Sequence, residues 1–500
     1  MRASLKQIVA AVAVSFPLLA FAQTQPADAS KPAEPGAAAP AAPAAEPMKP
    51  AEAPKPAPAP AATGPKFSWY GFVLLAGFSN DGTFGATYYP NPNSSNAATQ
   101  NDYPGFANGG PKNMLFSARQ SRLGVNVDLG KWEGFAIKAN IETDFQGGYG
   151  TPTANSNQWY APIPRLRIAT GTIGYGFGEG GNLALSFGHD WGLVNNINAT
   201  SSAWVANPIF WYAGNLYTRM DQVKLAYDWM GSVVGLNLAA AVVMPFDNYG
   251  YNPDFGPSNR SKSPGFQARL GVKAKVGDMF NADVGVGIHK SKETYAKQKV
   301  TCTDPAPVTV GTDTYDAPPS CQVQDDTTQT VNLDSSLTGI DAQIGITKYI
   351  LVKGEWFKGT DVDGYNGNFG AGVRTFTTNV IATPAAGYAA GDGKLYQPIT
   401  NFKALDSTGM WWQVVVKPFI ESVQLTFGMG KEEPTKDQLA TSRGQKVKNE
   451  QTAYGIIYTP TKAFRVGLEF DDTKTTWYDP AATEKQLEGK QVAFSFAVPF

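Results

Sequence analysis

Cysteine and histidine are almost absent from this 500-residue chain, which has two of each. Two cysteines cannot build a disulfide scaffold or a four-thiolate metal centre, and two histidines leave few general bases for catalysis. Charge of one sign in excess is also missing. Lys plus Arg number 41 against 42 Asp plus Glu, so no basic surface is available to hold a phosphate backbone, and nucleic acid is excluded as a partner. Beyond the first 22 residues no run approaches the roughly 20 apolar residues of a membrane-spanning helix, and mean hydropathy is -0.24. A helical membrane protein is thereby ruled out. A β-barrel is not, because its strands need only alternate. What the chain does have is 52 Gly, 36 Pro, 28 Phe, 21 Tyr and 11 Trp, an aromatic, turn-rich composition unlike that of a compact helical enzyme.

The N-terminus reads as an export signal over residues 1–22. Arg2 and Lys6 precede an apolar stretch from Ile8 to Ala20, and Ala20-Phe21-Ala22 is a small-x-small cleavage site. The alternative, an uncleaved helical anchor, requires a longer apolar run than is present. From Thr24 to Pro65 the chain carries 12 Pro and 16 Ala in 42 residues. Proline at that density blocks helix and ladder hydrogen bonds, so residues 23–65 are expected to be a disordered, extended periplasmic linker reaching on the order of 130 Å. Two roles are open to it: a tether, or a segment within 24–65 that contacts the cell wall.

From residue 66 to 500 one local pattern repeats, an alternation of apolar with small or polar residues over about ten positions, broken by Gly, Asn, Asp and Pro. Phe135-Ala136-Ile137-Lys138-Ala139-Asn140-Ile141-Glu142 and Phe464-Arg465-Val466-Gly467-Leu468-Glu469-Phe470 show it most clearly. Sixteen such runs can be counted, and their connections alternate between short and long along the whole chain. A soluble sandwich has no reason to make every second loop long. A 16-stranded antiparallel up-and-down transmembrane β-barrel, with tight turns on one side and long loops on the other, requires it. Aromatics near the short turns (Trp132, Phe135, Phe177, Trp229, Phe280, Tyr349, Phe419, Phe464) fit a ring at headgroup level.

The last run, Val492 to Phe500, places Val492, Phe494, Phe496, Val498 and the terminal Phe500 on one face. Such an ending resembles the closing strand of Gram-negative outer-membrane barrels, and sixteen strands resemble the trimeric porin superfamily. Ala118-Arg119-Gln120-Ser121-Arg122-Leu123, then Glu142-Thr143-Asp144-Phe145, Arg165-Leu166-Arg167 and Phe187-Gly188-His189-Asp190-Trp191-Gly192 are similar in order to the DcaP-like porins. The resemblance implies an outer-membrane homotrimer among lipid and lipopolysaccharide, passing small hydrophilic solutes. The Pro/Ala linker departs from the helical extension of that family.

A lumen of sixteen strands is too wide for side chains to fill, so its lining decides what passes. With the apolar phase outward, Arg122, Lys138, Glu142, Asp144, Arg165 and Arg167 fall inside. The three arginines could form a cationic wall, or they are ordinary solvated residues. Ser117, Arg119 and Ser121 fall on the outward phase of Leu123, which calls for a bulge or a subunit contact, and a similar break lies between Ile168 and Ile173. The third long loop carries Trp204, Phe210, Trp211 and Tyr212. By loop order the resemblance implies that it folds inward as the constriction, with Trp204 and Tyr212 lining or anchoring it, and the alternative is a self-packed surface loop.

Cys302 and Cys321 share one long loop, and in an oxidising compartment a disulfide is expected as its staple. No metal and no cofactor are expected. No catalytic residue is identified, since neither His189 nor His289 lies in a nucleophile motif. Passive diffusion through a pore, with a mild preference for anionic organics, is the leading functional reading. A structural anchor or adhesin barrel and an outer-membrane hydrolase are the alternatives.

Overall fold

A computed structural model of the chain describes residues 64–80, 113–147, 163–203, 208–245, 263–303, 308–310, 313–315, 320–365, 373–377, 400–435, 438, 445–478 and 485–500. The export signal and nearly all of the Pro/Ala linker lie outside these residues.

Sixteen strands form one antiparallel wall. They are β1 (Lys66–Asn80), β2 in two halves (Asn113–Ser117 and Arg122–Trp132), β3 (Phe135–Gly147), β4 (Ile163–Phe177), β5 (Gly181–Trp191), β6 (Arg219–Met230), β7 (Val234–Val243) and β8 (Gly265–Val276). The second half of the wall is β9 (Phe280–Thr303), β10 (Ser320–Ile346), β11 (Ile350–Thr360), β12 (Asp406–Val416), β13 (Val423–Pro434), β14 (Gln445–Thr461), β15 (Phe464–Tyr478) and β16 (Lys485–Pro499). Each strand pairs with its neighbours in sequence, and β16 returns to β1 from Phe72 opposite Pro499 to Asn80 opposite Gln491. Gly71 and Phe500 exchange backbone hydrogen bonds of 3.1 and 3.0 Å at the seam, so the ladder has no free edge there.

The alternation seen in the sequence is the barrel's inside and outside. On β1 the odd residues Phe67, Trp69, Val73 and Leu75 are exposed, whereas Leu74, Ala76 and Phe78 are buried on the inner face. The terminal run behaves as expected, with Phe496, Val498 and Phe500 outward and Ala493 and Ala497 inward. Turns at one end are tight. Between β2 and β3 only Glu133 and Gly134 intervene, both at positive φ (50° and 89°), the geometry of a two-residue hairpin turn. Trp132, Phe177, Trp229, Phe280, Phe419 and Phe464 are exposed near that end. Phe135 is the exception in this ring, because the Tyr175 ring covers it at 5.0 Å.

The first phase break is a bulge; the second, expected between Ile168 and Ile173, is not there, because pairing is regular from Ile168 opposite Glu142 to Ile173 opposite Ile137, and the slip lies just before it. Residues 118–121 interrupt β2, and Ser121 Oγ bonds to the backbone N and O of Leu74 at 2.9 and 3.3 Å. Met114 and Phe116 therefore face out on the long-loop side of the break and Leu123 and Leu129 on the short-turn side, while Ser117 turns inward. In β4 the register slips at Arg167, since Glu142 faces Ile168 and Thr143 faces Leu166. Arg165 and Arg167, two apart, share the inward face by simple alternation with Leu166 outside, and the extra residue shifts the phase so that Ile168, Thr170 and Thr172 face inward in their turn.

The β9–β10 hairpin is longer than its apolar alternation. A loop is expected from about residue 293, yet pairing continues to Thr303 opposite Ser320. Once a ribbon clears the bilayer both faces are wet, so the periodic signal ends although the hydrogen-bond ladder does not. Cys302 stands directly opposite Cys321 in that register; the two side chains lie outside the described residues.

Leu270, 45% exposed at the outward phase of β8, tests this assignment. Leu270→Arg should lower the unfolding free energy in lipid vesicles by about 2–4 kcal/mol, whereas Asn126→Arg on the lumen side of β2 should cost under about 1 kcal/mol. Urea titrations that rank the two the other way would reverse inside and outside.

Candidate functional site

Two bulges and three adjacent strands gather a charged cluster on the inner wall. Arg167 donates from Nε to Glu142 Oε1 and from Nη1 to Asp144 Oδ2, both at 2.8 Å. Arg165 holds Asp144 in a fork, Nε to Oδ1 at 3.0 Å and Nη2 to Oδ2 at 2.6 Å, and also donates to Gln146 Oε1 at 3.0 Å. Arg122 Nε lies 3.3 Å from Glu142 Oε1, with its guanidinium 5.3 Å from the centre of the Phe72 ring. Tyr70 donates to Glu142 Oε2 at 3.2 Å. Forked, charge-assisted contacts of this kind fix the planes of the groups as well as their positions.

Arg122, Arg165 and Arg167 thus stand together as a cluster and not as separately solvated residues. Glu142 and Asp144, placed on the same inward phase by the sequence, sit among them, and Asp144 is fully buried. Burying arginine and carboxylate together avoids the cost of an unpaired charge in a dry setting. A fourth guanidinium, Arg219, stacks over Trp191 at 5.0 Å and Tyr217 at 5.5 Å. Four cations therefore stand around two carboxylates, which leaves a positive surplus. Tyr217 touches it directly, with Arg167 Nη2 3.3 Å from its hydroxyl. Burial would raise this phenol, but Arg167, Arg219 and Arg122 together outweigh it and bring the pKa down to about 8. Lys138 shares the inward phase but stands apart, exposed nearer the short turns.

Tyr217 belongs to the third long loop, whose described residues, 192–203 and 208–218, fold inward along the wall. Its leading limb is held strand by strand. Leu193 N donates to Gln267 Oε1 of β8 at 2.7 Å, and Asn196 Nδ2 to Asp341 Oδ1 of β10 at 3.1 Å. Lys353 Nζ of β11 donates to Asn198 O and Thr200 Oγ1, both at 2.7 Å. Thr200 and Gln413 of β12 bond reciprocally at 2.8 Å. At the far side Ser201 Oγ and Ser202 N donate to the Glu469 carboxylate of β15, and Ala203 packs with Leu74, Ala76, Phe78, Ala493 and Ala497 across the barrel seam.

The return limb is held by packing. Phe210 is fully buried against Trp411, with Ile209, Ala213 and Ala453 around it. Tyr212 contributes its carbonyl to Asn449 Nδ2 at 3.0 Å and stacks its ring on Trp211 at 5.2 Å, so it anchors the loop. Trp204 lies outside the described residues.

The wall is hollowed to receive this loop. Gly428 and Gly430 on β13, Gly455 on β14 and Gly467 on β15 all occupy inward positions. A Cβ would lie 2.9 Å from the Phe210 ring at Gly428, 2.2 Å from Ala213 O at Gly430, 2.4 Å from Ser202 Oγ at Gly455 and 1.6 Å from Ser202 O at Gly467. Sequence reasoning missed this track and missed Tyr217 and Arg219. The available signal was glycine recurring on the lumen phase of successive strands, where a wet wall has no need of it. The lumen phase below the loop remains accessible at Asn126, Asp128, Lys138 and Asn182.

Elsewhere the carboxylates of Glu293, Asp361 and Asp363, all buried, lie within 4.8 Å of one another, the one grouping among the described residues with spacing suited to a metal ion. His189 Nδ1 is 2.8 Å from Asp221 Oδ1 on the outward phase, and His289 Nε2 is 3.0 Å from Ser291 Oγ inside the barrel.

A solved structure of the outer membrane channel DcaP of Acinetobacter baumannii is similar over 88% of this chain and 99% of that one, with 14% identity and a TM-score of 0.54. The chain has a porin fold. OprB of Pseudomonas putida is a looser match, at 10% identity over 88% of this chain and 94% of that one with a TM-score of 0.47. No family model and no curated protein matches the sequence.

Gly467→Leu should force the loop tip off β15. In planar bilayers this variant is expected to show a larger and noisier single-channel conductance than the parent. An unchanged conductance would mean that the tip does not limit the opening.

Proposed function

We propose that the chain is an outer-membrane porin, a water-filled channel for passive diffusion of small hydrophilic solutes with a preference for anionic organics. One observation carries the reading. The third loop lies against the wall from β8 round to β1, and its base brings Tyr217 onto the guanidinium cluster of β2 and β4. A lumen narrowed beside a positive surplus acts on ions at close range, which sets selectivity more than affinity. Water is supplied by width, since sixteen strands enclose more than side chains can fill.

Homotrimeric assembly in lipid and lipopolysaccharide completes the proposal on the strength of the family resemblance, and export through residues 1–22 and a periplasmic tether over 23–65 on the strength of their own composition. Passive diffusion needs no catalytic group, and none is assigned.

Selectivity should follow the arginines. Arg122→Gln removes one cation whose main contact is Glu142, and it is expected to shift the zero-current potential in a salt gradient toward cations. The triple replacement of Arg122, Arg165 and Arg167 by Gln should shift it further, because Glu142 and Asp144 then dominate. If neither variant moves the potential, the cluster does not face the permeant path. Silence of the parent across many insertions would favour the anchor reading.

We also assign a disulfide to Cys302 and Cys321, supported by their direct opposition across the β9–β10 ribbon and by export. It closes a 20-residue loop, worth roughly 3 kcal/mol in the chain-entropy picture. The purified protein should resist thiol alkylation until it is reduced, after which its mass should rise by two labels. Labelling without reductant would remove the bond.

A further inference from the structure

Tyr217 stands at the base of the third loop with its hydroxyl in the guanidinium cluster, and the surrounding structure fixes it there. Its backbone N donates to Tyr365 O at 3.0 Å. The carbonyl of the next residue, Thr218, accepts from Gly192 N at 3.3 Å and from Asn195 Nδ2 at 3.0 Å. The Tyr217 ring lies edge-on to Trp191 at 4.9 Å and 6.0 Å from Trp211. Arg167 is thereby engaged at all three nitrogens, Nε by Glu142, Nη1 by Asp144 and Nη2 by the Tyr217 hydroxyl.

The charge around this hydroxyl is mostly positive. Arg167 of β4 touches it, and Arg219 of β6 and Arg122 of β2 act on it through space. The acids of β3, Glu142 and Asp144, are taken up by Arg122, Arg165 and Arg167. Arg219 is held by the Trp191 and Tyr217 rings and forms no ion pair among the described residues. Behind the loop, Glu355 of β11 accepts from Leu216 N at 3.3 Å and from Trp411 Nε1 at 3.0 Å, and Lys224 of β6 pairs with Asp190 of β5 at 2.7 Å. In the turn at Asp363–Tyr365, Asp363 accepts from Gly364 N, and the Tyr365 hydroxyl meets Gln267 with Glu293 of β9 nearby.

Four guanidinium groups exceed two carboxylates by two, so a single phenolate in their midst halves the excess. The same cations that make up the excess favour that phenolate. Burial opposes it, yet the arginines prevail and hold the group at about 8, well below an ordinary tyrosine. Raising the pH through that value therefore removes positive charge from the cluster.

We propose that Tyr217 is a specificity-determining residue of the channel: as a phenol it leaves the full positive surplus to attract anions, and as a phenolate on Arg167 it cancels part of that surplus and weakens the preference. The inference rests on the porin reading above and adds to it the group that sets the strength of selection.

The test measures the zero-current potential of the full chain in planar bilayers under a potassium chloride gradient, from about pH 6.5 to about pH 9.5, below the ordinary range of lysine. The parent is compared with Tyr217→Phe, which keeps the ring and removes only the ionisable hydroxyl, so that every other titrating group is subtracted. The parent's anion-to-cation permeability ratio should fall by about twofold with a midpoint at about 8, and the variant should lack that step. The tyrosinate ultraviolet band, parent minus variant, should rise with the same midpoint. Arg219→Gln should move this midpoint up, because one of the cations that favour the phenolate is gone. An equal fall of the ratio in the parent and in Tyr217→Phe overturns the selector, as does a difference band that rises only in the ordinary tyrosine range near about 10. A conducting parent with a flat ratio defeats the selector and leaves the pore standing, whereas a silent parent defeats the pore and the selector with it.

Discussion

Hydrocarbon offers no water to a backbone N–H or C=O, so every such group within the bilayer must find its partner in the chain itself. That requirement shapes the molecule from end to end. It forces the strands into a ring, draws the terminal Phe500 onto Gly71, and permits irregular backbone only where the freed groups are taken up locally. The break at residues 118–121 shows how. Ser121 Oγ serves both the N–H and the carbonyl of Leu74, Phe145 N reaches Arg119 O, and Ser121 N reaches Ala118 O. The ladder is interrupted without leaving the break bare.

Closure creates a second problem inside, a cylinder too wide to be packed by side chains. The third loop answers it with two kinds of attachment. Its leading limb exchanges polar contacts with successive strands, through Gln267, Asp341, Lys353, Gln413 and Glu469. The return limb relies on burial of Phe210 and on backbone approach at Gly428 and Gly430. Polar side chains on a barrel's inner wall can be solvated by lumen water, so there is little penalty for placing them there before the loop docks. Glycine makes the remaining room, because the loop's own carbonyls occupy the volume that a Cβ would need.

The charged cluster follows the same economy of space. Arg165 and Arg167 share one side of their strand by alternation, the bulge at Arg167 reconciles that phase with the inward Ile168 and Thr170 that follow, and β3 supplies carboxylates at Glu142 and Asp144, two residues apart and on one face. Each guanidinium is then held by a fork or by a ring, so the positive surplus is spread over fixed groups. Tyr217 and Arg219 complete the arrangement from the loop and from the start of β6, across a part of the wall where β4 and β5 no longer pair.

Much of this was legible in the residues. Period-two alternation set inside and outside, the alternation of loop lengths set the strands' direction, and the misplaced Ser117 marked the first bulge, whereas the second lies at Arg167, just before the Ile168–Ile173 stretch where the pattern calls for a break. Alternation records only which face meets oil. It therefore fell silent on the wet extension of the β9–β10 ribbon, and although it put Glu142 and Asp144 on the same face as the arginines it could not say which of them pair. Composition and pattern along the chain decided that this protein is a membrane barrel, because the hydrophobic contrast between neighbouring residues is a local property. Only the tertiary structure decided where the third loop lies, because that depends on a loop meeting strands more than 200 residues away, where Ser202 finds Glu469 and room beside Gly467.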